Sequence, residues 1–354
     1  MRVALAADPL GESAWIRLAV TRRPRIFVPF DGRRALAASE NLPQSRAMKK
    51  MLEPRLEGTV LLRDGRSIGF AEYGTPDGAP IFWFPGTPGG RRQIPPLART
   101  AAEQRNVRLI AVERPGLGAS TPHLYESLLG WAEDVEEIAD RFGLDRFCLV
   151  GLSGGGAYVL ACAHQLPERV VGGALLGGVA PARGDDAPAG GALGLAVRGR
   201  VFLHAFREPF ARALWATVYS LRPLASPVFD LFVSTMPAGD QDVMQRPEMK
   251  QMFLDDMLRA SRQQLHAPVY DAVLFTRPWG FSLREIRVPI RLWHGDADNF
   301  VPLEHAEHLA ALIPDTELRV RPREGHMGNL DAAEEVLDTL LGLWVRKPPR
   351  SKRP

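Results

Sequence analysis

The sequence predicts an α/β protein in which a mostly parallel, doubly wound sheet carries a helical cap insertion. Short apolar runs bounded by turn residues alternate with segments of helical spacing, which is typical of strands and helices in β-α-β order. The region between Arg183 and Glu285 loses this rhythm and becomes helical, and the alternation then resumes. The chain has 354 residues, 45% of them hydrophobic and 24% charged, which is enough for one substantial core with additions.

The strands are predicted in runs that end in turn residues. The first two form a hairpin, with Asp64 and Gly65 supplying the turn chemistry. Most later runs are continuously apolar, which suits strands buried on both faces. The predicted strands are 56–65, 67–74, 79–86, 107–116, 147–153, 170–181, 288–296 and 316–326, and the predicted helices are 128–144, 154–165, 303–313 and 332–344.

The chain ends differ in composition from the segments between them. The first part has scattered Arg, two Pro-containing stretches and no sustained period, and Met48 and Met51 leave a later start of translation open. The last residues are basic and lack apolar periodicity, so we expect a solvated tail. The expected bounds are 1–55 for an N-terminal extension, 56–183 and 286–346 for the two parts of the core, 184–285 for the helical cap and 347–354 for the basic tail.

Composition and charge argue against several classes of protein. The net charge of +3 is small and acidic residues are mixed among the basic ones, which argues against a nucleic-acid partner. Neither a signal peptide nor a membrane-spanning segment is predicted, so we expect a soluble, cytoplasmic protein that acts on a small molecule. Cys148 and Cys162 lie in apolar segments and are expected to be buried thiols. The sequence does not fix the oligomeric state.

The segment Gly151–Gly155 reads G-x-S-x-G, between an apolar strand and a helix. Such a turn holds its serine, here Ser153, at the carboxyl edge of the sheet, and small flanking residues are needed because larger side chains would collide there. The helix N-terminus behind it favours developing negative charge. The sequence therefore predicts a nucleophile elbow, whereas a plain glycine-rich turn would need no such context.

A serine hydroxyl is a weak nucleophile without a base, which is commonly a histidine held by a carboxylate. Two late strands are each followed by one of these residue types. Asp298 follows the first and His326 follows the second, so the chain order is Ser, Asp, His. Ser153, Asp298 and His326 are the predicted catalytic triad, and neither a cofactor nor a metal is expected.

These motifs resemble those of the α/β-hydrolase superfamily, whose members with a serine nucleophile are serine hydrolases. The resemblance covers roughly residues 56–346. It implies an oxyanion hole formed by the backbone N–H groups of Thr87 and Gly154. The matching segments are FPGTPGG (84–90), ERPGLGAS (113–120), GLSGG (151–155), HGDADNFVP (294–302) and EGH (324–326).

Two positions depart from the family pattern. Pro85 occupies the place of the usual histidine, and Glu113 that of the usual aspartate. Backbone donors do not depend on side-chain identity, so the oxyanion hole can survive the change. The loss of the histidine nevertheless leaves open how the turn around Thr87 is braced.

Other acids and histidines compete for the catalytic roles. Family spacing from Gly295 selects Asp298 over Asp296, which would stabilise a turn, and an acid after the preceding strand remains a second alternative. A metal site at two histidines three residues apart lacks the carboxylates or cysteines that would complete it. The competing acids are Asp185, Asp186 and Asp296, and the competing histidines are His164, His294, His305 and His308.

The resemblance implies hydrolysis of a carboxylic ester of a small, moderately apolar substrate, with Met and Phe of the cap forming the pocket. Serine at the elbow argues against the dehalogenase and epoxide-hydrolase relatives, which use aspartate there. An aminopeptidase or amidase remains open and would need an acid in the cap, for which Glu248, Asp255 and Asp256 are available. A ligand-binding protein of this fold without catalysis is the third interpretation.

Overall fold

The computed structural model describes residues 53–188 and 199–346, together with two short strands, β1 (Trp15–Ile16) and β2 (Val28–Pro29), which pair antiparallel. Most of the predicted N-terminal extension and the whole predicted basic tail lie outside the described residues. Within the described ranges, no helix is long and apolar enough to cross a bilayer.

One eight-stranded sheet runs through the molecule in the order β10-β9-β8-β7-β5-β6-β4-β3. The strands β5 to β10 pair in parallel, whereas β4 pairs antiparallel with both β3 and β6. This confirms the predicted mostly parallel sheet. The strands are β3 (Leu56–Leu61), β4 (Ser67–Gly74), β5 (Ala79–Phe84), β6 (Val107–Val112), β7 (Phe147–Leu152), β8 (Val170–Leu176), β9 (Ile290–Gly295) and β10 (Thr316–Arg321).

Helices cover both faces of the sheet. Successive strand residues point to opposite faces, so Phe84 packs edge-to-face on Trp131 in one apolar cluster, while Trp83 belongs to the second cluster. Buried apolar residues of α2, α3 and α10 join the first cluster, and those of α1 and α11 join the second. These helices are α1 (Pro96–Gln104), α2 (Leu129–Arg141), α3 (Gly155–Gln165), α10 (Glu304–Leu312) and α11 (Ala333–Arg346).

Between β8 and β9 the regular structure of the described residues is helical, apart from Leu265, which forms an isolated antiparallel bridge with Leu117 of the loop after β6. We call the segment 200–275 the helical insertion. Its longer helices leave few residues fully buried, and its inward side faces the carboxyl ends of the strands, where the predicted site residues lie. Its helices are α4 (Arg200–Ala205), α5 (Arg207–Ser220), α6 (Ala225–Ser234), α7 (Ala238–Met244), α8 (Pro247–Ala260) and α9 (Ala267–Phe275).

Candidate active site

Ser153 lies on a tight turn between β7 and α3. Its φ of +53° is in the left-handed region, where a side chain is strained. Larger neighbours would not fit, because a Cβ added at Gly151 would lie 2.5 Å from the carbonyl oxygen of Gly155, and one at Gly155 would lie 2.3 Å from that of Phe84. The G-x-S-x-G spacing therefore has a steric cause in this structure, and it holds the Ser153 side chain at the edge of the sheet.

Asp298 and His326 meet at the same edge. Asp298 follows β9, His326 follows β10, and Nδ1 of His326 lies 2.7 Å from Oδ2 of Asp298. The other oxygen of Asp298 accepts the backbone N–H groups of Phe300 (2.9 Å) and Val301 (2.8 Å), which fix the carboxylate. A carboxylate on Nδ1 favours the tautomer that leaves Nε2 free to accept a proton.

Ser153 and His326 line one cavity. In the described part of the chain no hydrogen bond joins the Ser153 hydroxyl to the imidazole. Such bonds are often long until substrate closes the site. The structure thus brings the three residues of the predicted triad to one edge of the sheet, with the Asp298–His326 bond already formed.

The turn after β5 lies against the elbow. A Cβ added at Gly154 would be 2.6 Å from Oγ1 of Thr87, so the two residues are direct neighbours. Neither the Thr87 amide nor the Gly154 amide donates a hydrogen bond within the described ranges. Two adjacent N–H donors without a described partner, beside a serine hydroxyl, are an arrangement that could stabilise an oxyanion.

A buried ion pair braces this turn. Arg114 donates to the carbonyl oxygens of Pro85 (2.6 Å) and Gly86 (2.5 Å), and its Nε donates to Oδ2 of Asp271 in α9 (2.9 Å). Asp271 also accepts the hydroxyl of Thr87 at 2.6 Å. The bracing that the missing histidine left open is therefore supplied by Arg114 of the ERPG segment and by a carboxylate of the helical insertion.

Tyr158 of α3 completes the network. Its hydroxyl donates to Oδ1 of Asp271 at 2.5 Å. Burial, followed by the negative charge of Asp271, raises the pKa of Tyr158 well above its usual value, so the phenol remains a donor. The sequence analysis did not identify Arg114 or Asp271 as part of the site. The Arg-Pro-Gly segment pointed to the neighbourhood of Arg114, but no local signal marks Asp271 as its partner.

Glu113, the second departure from the family pattern, is buried next to this turn. Its Oε1 pairs with Arg91 at 2.6 Å and its Oε2 accepts the backbone N–H of Ala119 at 2.9 Å. Gly118 leaves room for the carboxylate, since an added Cβ would lie 2.3 Å from Oε1. Both oxygens of the Glu113 carboxylate thus have polar partners in the position that Glu113 occupies.

The rival acids have structural partners elsewhere. Asp296 accepts the backbone N–H of Arg323 at 2.6 Å, which stabilises the turn before His326. Asp186 accepts the Leu283 N–H at 2.7 Å. Neither carboxylate bonds to His326, whereas Asp298 does.

The rival histidines do not line the cavity, and each contacts other groups of the core. Nε2 of His294 is 2.6 Å from the carbonyl oxygen of Val301, and burial lowers the pKa of His294. His305 accepts the backbone N–H of Ala180 at 2.9 Å, and His308 contacts the carbonyl of Asp186 at 2.7 Å. His164 stacks on Phe281. His305 and His308 share α10 but bond to separate backbone groups.

The cavity beside Ser153 has a volume of about 630 Å³. The helical insertion supplies more than half of its lining residues, mainly from α6 and α8, and the core adds the elbow, the turn after β5 and the loops that hold Asp298 and His326. The described lining residues include no Asp or Glu. The apolar ones are Pro88, Leu152, Val218, Leu221, Ala225, Val228, Phe229, Phe232, Met244, Phe253, Leu254, Met257, Leu258, Phe300, Val301 and Met327.

Comparisons with known sequences point to one family. The sequence profile described as "alpha/beta hydrolase fold" matches residues 79–333. A proline iminopeptidase of Arabidopsis thaliana is 27% identical over 142 residues, which is 39% of this chain and only 37% of that protein. A 2-hydroxy-6-oxononadienedioate/2-hydroxy-6-oxononatrienedioate hydrolase of Paraburkholderia phymatum is 30% identical over 241 residues, 66% of this chain and 75% of that protein.

Solved structures share the fold at low identity. A hydrolase from Pseudomonas aeruginosa superposes with a TM-score of 0.59 at 19% identity, covering 81% of this chain and 99% of the other. An esterase from Exiguobacterium antarcticum gives 0.58 at 21% identity, covering 82% and 100%. Similarity at this level concerns the fold, and the chemistry has to be argued from the site.

Proposed function

This chain belongs to the α/β-hydrolase fold family, and on that premise we propose that it is a serine hydrolase of carboxylic esters, acting on a small, moderately apolar substrate. The observation that carries the proposal is the 2.7 Å contact between the buried Asp298 and His326, which lines the same cavity as Ser153. An oriented histidine beside a serine on a strained turn is the arrangement that activates a hydroxyl for attack on a carbonyl.

In the proposed mechanism, Oγ of Ser153 attacks the ester carbonyl carbon while Nε2 of His326 takes the hydroxyl proton. Asp298 holds the imidazole and stabilises its cation. The carbonyl oxygen becomes an oxyanion and accepts the N–H groups of Thr87 and Gly154. Collapse of the intermediate breaks the ester C–O bond, and the alcohol leaves with the proton from His326.

The second half of the reaction uses the same groups. A water molecule gives its proton to His326 and attacks the acyl carbon, and the acyl–oxygen bond to Ser153 then breaks. Ser153 regains its proton from the imidazolium, and the carboxylic acid is released. Every proton in this cycle passes through His326, so the proposal needs no cofactor.

The apolar wall supports an apolar acyl group. Burying each methylene of such a chain contributes about 0.8 kcal/mol, and residues such as Phe229, Phe253 and Met257 offer the surface to bury it against. Because the helical insertion supplies this wall, we propose that it acts as the cap over the site, as the sequence analysis expected of residues 184–285.

The aminopeptidase interpretation finds less support in the cavity. Asp255 is paired with Arg92 at 2.9 Å and with Arg259 at 2.8 Å. Asp256 accepts the backbone N–H groups of Gly90 and Arg92, and neither these acids nor Glu248 is among the described lining residues. A free substrate amine would thus enter without a carboxylate partner, which favours an ester.

The test is hydrolysis of p-nitrophenyl esters of increasing acyl length, with a peptide arylamide assayed beside them. Ser153→Ala should reduce turnover by roughly four to six orders of magnitude, with an unchanged melting curve as the control for folding. Near-normal activity in that variant would refute the triad. A wild-type protein that binds the esters tightly but does not turn them over would instead be a ligand-binding protein.

A further inference from the structure

One arginine lies in the otherwise apolar wall of the cavity. Arg222 begins the short 3₁₀ helix Arg222–Leu224 between α5 and α6, and its side chain lines the space that holds Ser153 and His326. Apart from His326, it is the one described lining residue that can carry a charge. Arg222 is partly exposed, but one end of its guanidinium is buried, and burying an N–H donor without a partner is costly.

The guanidinium of Arg222 has no such partner among the described residues. Its Nη1 is buried and lacks a hydrogen-bond partner, and no carboxylate in the described ranges forms an ion pair with it. Its central carbon lies 5.3 Å from the ring centroid of Tyr219. A ring face attracts the cation but leaves the in-plane N–H donors unused. Arg114, by contrast, is buried with the carboxylate of Asp271 at 2.9 Å.

Two neutral side chains of the wall already have hydrogen-bonding partners. Oε1 of Gln93 accepts the Gly86 N–H at 2.7 Å, and Oγ of Ser261 donates to the carbonyl of Met257 at 2.7 Å. Beside the groups assigned to catalysis, Arg222 is therefore the charged side chain of the described wall that still has donors to offer.

We propose that Arg222 binds a carboxylate that the substrate carries at a distance from its scissile ester. The substrate class is then an ester with an apolar acyl chain and a terminal carboxylate. This rests on the proposed function. One guanidinium neutralises one carboxylate and matches it with two parallel N–H donors. A phosphate monoester carries about −1.5 to −2 charges, and no second Lys or Arg is among the described lining residues.

The experiment compares two esters that differ only in charge. One is the p-nitrophenyl monoester of suberic acid, and the other is the same compound with its free carboxylate methylated. The wild-type kcat/KM should favour the charged ester, and Arg222→Gln should lower the charged-ester value by roughly 10- to 100-fold, the worth of a charged hydrogen bond. The neutral ester should be unaffected. Arg222→Lys should keep part of the preference.

Arg212→Gln is the matched control, because it removes the same charge from an exposed position of α5 that does not line the cavity. It should leave both esters unchanged. Ser153-dependent hydrolysis of the neutral ester with no preference for the charged one, or a preference that survives Arg222→Gln, would overturn the role of Arg222 and leave the proposed function standing.

A binding measurement decides the case in which neither ester is hydrolysed. Titration calorimetry with monomethyl suberate and dimethyl suberate reports on Arg222 without any turnover. Binding of monomethyl suberate that weakens about 10-fold or more in Arg222→Gln supports the carboxylate site even if the ester hydrolase proposal fails. Equal binding of the two compounds, or no effect of the substitution, overturns it.

Discussion

Oγ1 of Thr87 donates a 2.6 Å hydrogen bond to Oδ2 of Asp271, which ties the turn after β5 to helix α9 of the helical insertion. The same carboxylate oxygen accepts a hydrogen bond from Arg114, which also donates to the carbonyl oxygens of Pro85 and Gly86. The direction of the Thr87 N–H is thus set by a residue of the insertion. In the proposed mechanism that N–H must point at the oxyanion, because preorganised donors are what stabilise it.

Thr87→Val should lower kcat on p-nitrophenyl esters by roughly 10-fold, since a small misplacement of a catalytic group is costly, while KM changes little. Valine keeps the shape of the side chain and removes only the hydroxyl that Asp271 accepts. Thr87→Ser retains that hydroxyl and should keep most of the activity. Steady-state kinetics of the two variants decide the matter, and equal kcat values for wild type and Thr87→Val would contradict it.

Asp271→Asn should destabilise the fold by about 3 kcal/mol, because it leaves the guanidinium of Arg114 buried without its countercharge. Both side chains are only 2% exposed, so water cannot replace the lost partner. Urea denaturation measures the difference. A single variant as stable as wild type would show that the pair is not a stabilising feature.

Asp298→Asn should reduce kcat by roughly 10³- to 10⁴-fold, because an asparagine cannot hold the imidazole of His326 in the required tautomer or stabilise its cation. Asp296→Asn is the matched control two residues away. Among the described residues its carboxylate accepts a hydrogen bond from the backbone N–H of Arg323 alone, so activity should stay within a few-fold of wild type. A larger loss from the Asp296 change than from the Asp298 change would reverse the assignment.

The stability of the protein should depend on Asp256 between about pH 4 and pH 6. Burial raises the pKa of this carboxyl from 3.8 to about 6, against the opposing effect of the Gly90 and Arg92 backbone N–H groups. The folded state therefore binds the proton more tightly than the unfolded chain. The resulting stabilisation is fully present below about pH 4 and is lost as the pH rises through about 6.

Urea denaturation across this pH range tests the Asp256 prediction. In Asp256→Asn the decline of unfolding free energy between pH 4 and pH 6 should be shallower than in wild type, whatever the overall cost of the substitution. Glu248→Gln, on the first turn of the same helix, should keep the wild-type slope. Parallel slopes for wild type and Asp256→Asn would mean that another group carries the pH dependence.

The sequence could predict the sheet and the site's neighbourhood because both depend on local patterns. Apolar runs of strand length marked β5 to β9, and the steric needs of the elbow explain the glycines around Ser153. Helix α1, which begins at Pro96 directly after Pro95, was missed, because its buried face consists of alanines, Pro96 and Arg99 rather than large apolar residues. Such a face offers little apolar periodicity to read.

Contacts between distant segments could not be predicted from the sequence. Arg114 and Asp271 are 157 positions apart, and no spacing rule connects a loop after β6 with a helix of the insertion. The unpaired state of Arg222 likewise becomes visible only when the cavity wall is assembled. Both features concern the burial of charge, which depends on which segments fold together rather than on neighbours along the chain.

Gly154→Ala tests the oxyanion hole without removing either N–H donor. The backbone at Gly154 has φ of −55° and ψ of −25°, so alanine is allowed there. Its Cβ would lie 2.6 Å from Oγ1 of Thr87 and 3.0 Å from the ring of Phe275, so the turn after β5 must shift away from the elbow. We expect kcat on p-nitrophenyl esters to fall by roughly 10²-fold, the worth of one oxyanion donor.

Gly342→Ala is the matched control for that substitution. An added Cβ meets no atom within 4 Å in the middle of α11, so stability should rise by about 0.5 to 1 kcal/mol with kcat unchanged. Melting curves and ester kinetics of both variants make the comparison. If Gly154→Ala keeps the wild-type kcat, the oxyanion must be stabilised elsewhere, because the added methyl group meets the Thr87 side chain and should displace this residue from the elbow.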